Sequence, residues 1–156
     1  MNTQPTRLHL GERHTTLARG ADASVTLAIG RQGVAEEFFR HELPTPRELE
    51  RAIDAVEDEL MRARSMHADG GELVTTDPTL RLFAVAEASV PTMTIDAVER
   101  LFQRLASASL GDPSALRGLP AGREAAAALL MLRELMHHLG FSAVTWVDEP
   151  GRQERG

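Results

Sequence analysis

Leu8-His9-Leu10-Gly11-Glu12-Arg13-His14-Thr15-Thr16-Leu17-Ala18 and, after Gly20-Ala21-Asp22, Ser24-Val25-Thr26-Leu27-Ala28-Ile29-Gly30 decide the fold. Leu8 and Leu10 flank His9, and Gly11-Glu12-Arg13 reads as a tight turn. Thr15 to Ala18 forms a second short strand. Ser24 to Ile29 alternates with a period of two and stops at Gly30. Alternation between turn residues is the mark of half-buried strands. The stretch therefore predicts three antiparallel strands joined by tight turns.

The next signal is a helix start. Thr45-Pro46-Arg47-Glu48 puts a hydroxyl at the N-cap, proline at the first helical position and Glu three residues after the cap. That is a capping box. Leu49, Ile53, Val56 and Leu60 then form one apolar stripe, opposite Glu50, Arg51, Asp54, Asp58 and Arg62. The helix is expected to run to about His67 and stop at Asp69-Gly70-Gly71. Glu72 to Thr76 reads as a strand, and Asp77-Pro78 as the cap and first turn of another helix. Asp77 thus lies between a strand and a helix, where open α/β sheets place ligands; helix capping is its plainer role. Thr94 caps a further helix carrying Ile95, Val98, Leu101, Phe102 and Leu105 on one face. Gly111-Asp112-Pro113 ends it and begins a short one. Arg123 to Leu139 is apolar on more than one face, so it is expected to be buried among several neighbours, with Gly140 as its C-terminal stop. Ser142 to Val147 is the last strand.

Three antiparallel strands followed by helical crossovers to parallel strands imply an α/β fold. The expected form is a mixed five-stranded sheet with helices on both faces, in the order of ribonuclease H-like and actin-like half-folds. Residues 1–148 are expected to form one domain and 149–156 a polar tail.

Composition narrows the function. The 156 residues suffice for one core, and the net charge of −6 gives no electrostatic reason for a nucleic-acid or membrane partner. Five Phe, one Trp and no Tyr are too few for a base-stacking platform. Without cysteine there is no disulfide, thiolate chemistry or Cys-based zinc site. No apolar run approaches the ~20 residues of a membrane span, and Met1-Asn2-Thr3-Gln4-Pro5 carries no signal-peptide pattern. The cytoplasm is the expected compartment. Among His9, His14, His41, His67, His137 and His138, only His9 and His14 bracket a turn, with Glu12 as the one further ligand between them. His137 and His138 project about 100° apart on their helix and do not share a metal easily. No metal site is expected.

These pieces together resemble the second half of the exopolyphosphatase / guanosine-pentaphosphate phosphohydrolase (Ppx/GppA) family. Leu8 to Leu17 is similar to that family's D-I-G-G-G-S-T-E-L. Ala28 to Phe39 is similar to S-L-x-L-G-x-V-x-L-x-E-x-F, and Leu73 to Thr79 sits where the family has V-G-x-G-G-T. Arg117-Gly118-Leu119-Pro120-Ala121-Gly122-Arg123, with Ala126, Ala127 and Leu129, resembles G-L-P-P-x-R-A-D-x-I-x-x-G-x-x-I-L. Val144 to Asp148, with Gly151, Arg152, Glu154, Arg155 and Gly156, resembles V-S-D-x-G-L-R-E-G.

The resemblance implies an actin-like domain, two of which face each other in the family and hydrolyse polyphosphate or guanosine polyphosphates between them with magnesium. It assigns Gly11, Glu12, Arg13, His14, Thr15, Thr16, Thr75, Thr76, Asp77 and Thr79 as equivalents of the phosphate loops. Those loops depart from the family. Only Gly11 remains of the first glycine triplet, and Thr16 replaces its acidic residue. The second loop has no glycine, and Asp77 would compete with an anion for the helix N–H groups. A carboxylate ~4 Å from a phosphate is repulsive by about 1 kcal/mol even in water-like dielectric. The family's first domain is expected to be absent, unless the chain is a piece of a longer protein. The expectation is a non-catalytic module with no catalytic residue and no cofactor, pairing with itself or with another protein. The apolar stripes of Thr94–Leu105 and Arg123–Leu139 are its expected docking faces. The alternative is a phosphatase or phosphate binder whose cleft forms by dimerisation, with magnesium, and with Arg13, His14, Thr15, Thr75 and Thr79 on the phosphate.

Overall fold

The computed structural model of the chain describes residues 4–148. The expected tail 149–156, the part of the terminal resemblance beyond Asp148, and Met1 to Thr3 lie outside the described residues.

The opening stretch forms β1 (Thr6–Leu10), β2 (Thr15–Arg19) and β3 (Ala23–Leu27), antiparallel neighbours in register Leu8↔Leu17 and Leu17↔Val25. A helix follows, α1 (Arg31–Phe38), which the sequence reading did not anticipate. Then comes α2 (Pro46–Leu60), opened by the expected capping box. Thr45 Oγ1 accepts from the Glu48 N–H at 3.2 Å, and the Glu48 carboxylate accepts from the Thr45 N–H at 3.0 Å. The helix tightens into a 3₁₀ turn over Met61–Met66. The chain continues through β4 (Gly71–Thr75), α3 (Pro78–Ala86), β5 (Thr92–Thr94) and α4 (Ile95–Ser109), then a 3₁₀ turn at Pro113–Leu116. It finishes with α5 (Arg123–Leu139) and β6 (Phe141–Trp146). Gly140, at φ 77°, ends α5 in the left-handed region that a side chain disfavours.

The fold class is the expected mixed α/β sheet, with corrections in detail. The described residues form six strands rather than five, in the order β3-β2-β1-β4-β6-β5. The added strand, β5, has three residues, too few for alternation to be read, and runs antiparallel to β6. The helices gather on one face rather than both. That face buries Leu8, Leu10, Leu17, Leu73, Met93 and Val144. On the other face Arg7, His9, Ser24, Thr26, Glu72 and Ser142 are exposed. The cause is the direction of travel. The parallel steps β1 to β4 and β4 to β6 go the same way across the sheet. Right-handed crossovers that step one way place their helices on one side.

The third correction concerns docking. Val98, Leu101, Phe102 and Leu105 of α4 and Leu129 to Leu132 of α5 are buried, so those stripes are core and not surface. α5 packs against α1, α2, α3, α4 and β6, which is why its sequence is apolar nearly all round.

Candidate functional site

The parallel strands β1, β4 and β6 end together at Leu10, Thr75 and Trp146. There the β1–β2 turn, the start of α1 and the β4–α3 loop converge. It is the strand end at which open α/β sheets bind ligands.

The turn is built around Gly11, whose N–H donates to the His14 carbonyl at 2.9 Å. A Cβ on Gly11 would lie 2.6 Å from that oxygen, so glycine is required sterically. The turn seats its backbone on α1. The Arg31 N–H donates to the Gly11 carbonyl at 3.0 Å. The N–H groups of Gln32 and Gly33 donate to the Glu12 carbonyl at 3.0 and 3.1 Å. Gly30 permits this approach, because a Cβ there would sit 2.4–2.5 Å from Glu12 and Arg13 backbone atoms. The first N–H groups of a helix are its anion-binding equipment. In α1 they are spent on two carbonyls of the preceding turn.

The second loop is closed in the same manner. Asp77 caps α3 as expected, its Oδ1 accepting from the Leu80 N–H at 2.9 Å. The Asp77 N–H donates to Thr75 Oγ1 at 3.2 Å, and the Asp77 carbonyl accepts from the Trp146 indole at 2.9 Å. The buried Asp77 carboxylate is paired with Arg31, Nη2 to Oδ2 at 2.8 Å. The Arg31 guanidinium, which bridges the two loops, is therefore neutralised within the chain.

The ten residues assigned by resemblance do not form one cluster. Thr15 is buried and donates to the Ile29 carbonyl at 2.7 Å. Thr16, one residue on, points to the opposite face. With Thr75, Thr76, Arg7 and His9 it borders a groove of about 260 Å³ on the exposed sheet face. Arg13 turns away to Glu36 at 2.8 Å. The hydrogen bonds from Arg13 and Gln32 hold the Glu36 carboxyl below its ordinary range. Glu12 and His14 are exposed on the turn, and Thr79 is half-buried on the first turn of α3. Sequence reasoning missed Arg31, Gly30 and Trp146, which tie the two loops together. The one signal for them was Gly30-Arg31 directly after a strand, and it marked the strand's end and not a helix's beginning.

No protein-family model matches the sequence, and no curated protein matches it. Solved structures do. A PPX-GPPA enzyme from Aquifex aeolicus superposes with a TM-score of 0.72 at 16% identity, over 95% of this chain and 54% of that one. An exopolyphosphatase-like protein gives 0.70 at 12% identity, over 93% and 56%. An exopolyphosphatase from Cytophaga hutchinsonii gives 0.65 at 11%, over 93% and 53%. The chain thus has the actin-like, ribonuclease H-like fold of these phosphatase structures and spans about half their length.

Proposed function

We propose that this chain is a non-catalytic relative of one domain of the Ppx/GppA phosphatases, acting as a protein-interaction or regulatory module. One observation carries the reading: the first N–H groups of α1 and the Arg31 guanidinium, donors that could cradle a phosphate, are engaged by the protein itself. Three α1 N–H groups go to Gly11 and Glu12 carbonyls, and Arg31 goes to Asp77. A phosphate entering here has to displace a buried ion pair and face the Asp77 carboxylate. Losing one partner of such a pair costs about 3–5 kcal/mol, comparable to the whole binding energy of a millimolar ligand, about 4 kcal/mol.

The partner-facing surface in this reading is the exposed sheet face. An uncovered sheet face next to a fully packed core is an available platform for another chain. The ligand test is a thermal-shift series with polyphosphate, guanosine pentaphosphate and orthophosphate, each with and without magnesium, alongside a phosphate-release assay. No shift and no release are expected. A saturable shift, or release of phosphate, overturns the non-catalytic reading in favour of a phosphate-handling dimer. The interaction half fails separately, if sedimentation shows a monomer at high concentration and pull-down recovers no partner.

A further inference from the structure

We infer that Glu57, Glu134 and His138 form a binding site for a zinc-class divalent cation that clamps α2 to α5. The cluster lies at the end of the sheet where β6 begins, away from the loops described above. It does not depend on the functional reading given for those loops.

Geometry is the first argument. Glu134 and His138 are four residues apart on α5, hence on one face of a rigid helix. Glu57 reaches them from α2. One carboxylate oxygen of each Glu and the imidazole Nε2 lie within 4.8 Å of one another. His138 Nε2 is 3.1 Å from Glu57 Oε2 and 3.3 Å from Glu134 Oε1. Ligands ~2.0–2.1 Å from a tetrahedral zinc ion are roughly 3.3 Å apart. The nitrogen-to-oxygen spacings therefore already match the edges of a zinc polyhedron.

Charge is the second. Glu57, Glu134 and the neighbouring Glu99 are three carboxylates, and Arg133 is the guanidinium among them. Glu134 is 3% exposed, so its charge cannot be screened by water. A dication fits this excess of carboxylates.

The surroundings are the third. Glu134 offers Oε1 toward His138 while its Oε2 is held by Arg133 at 2.8 Å. Arg133 is fixed in turn by Glu99 at 2.9 Å and by stacking over the Phe102 ring. An oriented ligand with its second oxygen satisfied from behind is the usual support of a metal-binding carboxylate. His138 and Glu57 are 44% and 40% exposed at the side chain, which leaves the ion a way in and room for a water as fourth ligand. One imidazole among the ligands favours zinc or cobalt over magnesium, which prefers oxygen alone. His137 takes no part, since it turns to Glu99.

The test uses the full chain, stripped with chelator and titrated with Zn²⁺, Co²⁺ or Mg²⁺. Expected are one-to-one binding by calorimetry, a rise in melting temperature with Zn²⁺, the visible absorption of tetrahedral Co²⁺, and no response to Mg²⁺. Glu57→Gln and His138→Gln alter half-exposed side chains and so leave the fold intact. Each should weaken Zn²⁺ binding on the order of a hundredfold, while His137→Gln leaves it unchanged. Absence of saturable Zn²⁺ binding, or binding unaffected by both Glu57→Gln and His138→Gln, overturns the site and leaves a set of ion pairs. A Zn²⁺ response here says nothing of phosphate, so its outcome is separate from that of the ligand series above.

Discussion

Arg31 and Asp77 hold the two loops of the sheet end together, with Nη2 2.8 Å from Oδ2 and side chains 18% and 4% exposed. Arg31 opens α1 and Asp77 opens α3, so the pair joins the starts of two helices. Asp77→Ala should lower unfolding free energy by about 3–5 kcal/mol, because it leaves a shielded guanidinium unpaired and uncaps α3. Asp77→Asn should cost less, since its amide oxygen still accepts from Leu80. A denaturation cycle of Arg31→Met, Asp77→Asn and the double variant should give a coupling energy of at least about 1 kcal/mol. Additive single effects would show that the pair does not act as a unit.

Gly30 and Gly33 lie three residues apart and should respond in opposite directions. A methyl group at Gly30 meets Glu12 and Arg13 backbone at 2.4–2.5 Å, so Gly30→Ala must push the turn off α1. It should destabilise by several times the ~1 kcal/mol ordinarily at stake between Gly and Ala. At Gly33 the nearest atom is Arg13 Nη1 at 3.9 Å, and the residue is helical. Gly33→Ala should therefore stabilise by about 0.5–1 kcal/mol. Melting temperatures of the two variants check the pair.

These contacts explain what was legible in the sequence. The Thr45–Glu48 box, the caps at Thr94 and Asp77 and the stop at Gly140 all matched expectation, because each is settled by atoms within four residues. α1 was not legible for the converse reason. Gly30 offers no side-chain cap, and the oxygens that satisfy its first turn come from Gly11 and Glu12. The β1–β2 turn and the β4–α3 loop were legible as connections, but not the partners of their side chains. Thr15 and Thr16 point to opposite faces, and Asp77 is claimed by an arginine distant in sequence. Tertiary pairing of that kind leaves no local pattern.

Glu48 gives a pH dependence with a defined sign. Partial burial raises its carboxyl, but hydrogen bonds from the Thr45 N–H, His41 and the Arg40 N–H outweigh that and hold it below the ordinary glutamate range. A carboxyl depressed on folding contributes stability above its unfolded pKa and loses it as pH falls through the folded value. Glu48→Gln should therefore be less stable than the parent chain at neutral pH. The gap should begin to close as pH falls through the unfolded glutamate pKa, roughly 4.3, and vanish once both folded and unfolded Glu48 are protonated. Denaturation midpoints of the two chains between pH 3 and pH 7, taken at roughly constant ionic strength, measure it. A gap that stays constant on acidification would mean that Glu48 acts through packing and not through its charge, and one that widens would mean that folding raises its carboxyl.

If the sheet end is an anion site filled by the protein's own carboxylate, removing that carboxylate should make it receptive. Asp77→Gly frees the Arg31 guanidinium and the Leu80 N–H, both of which Asp77 now occupies. It also leaves a space the size of the lost side chain. Formate matches that space and charge, and a ligand that binds the folded state alone stabilises it by mass action. At tenfold over its dissociation constant the gain is about 1.4 kcal/mol. Formate should accordingly raise the melting temperature of Asp77→Gly saturably and leave the parent chain unmoved, with chloride at equal ionic strength as control. Orthophosphate in the same assay measures how far the opened space extends. If phosphate also rescues the variant, the geometry for holding it persists, and the Asp77 carboxylate is what excludes it from the parent chain. If formate rescues and phosphate does not, the turn seated on α1 has closed the site sterically as well. If neither rescues, the freed donors do not converge on one point, and the self-occupied anion site is wrong.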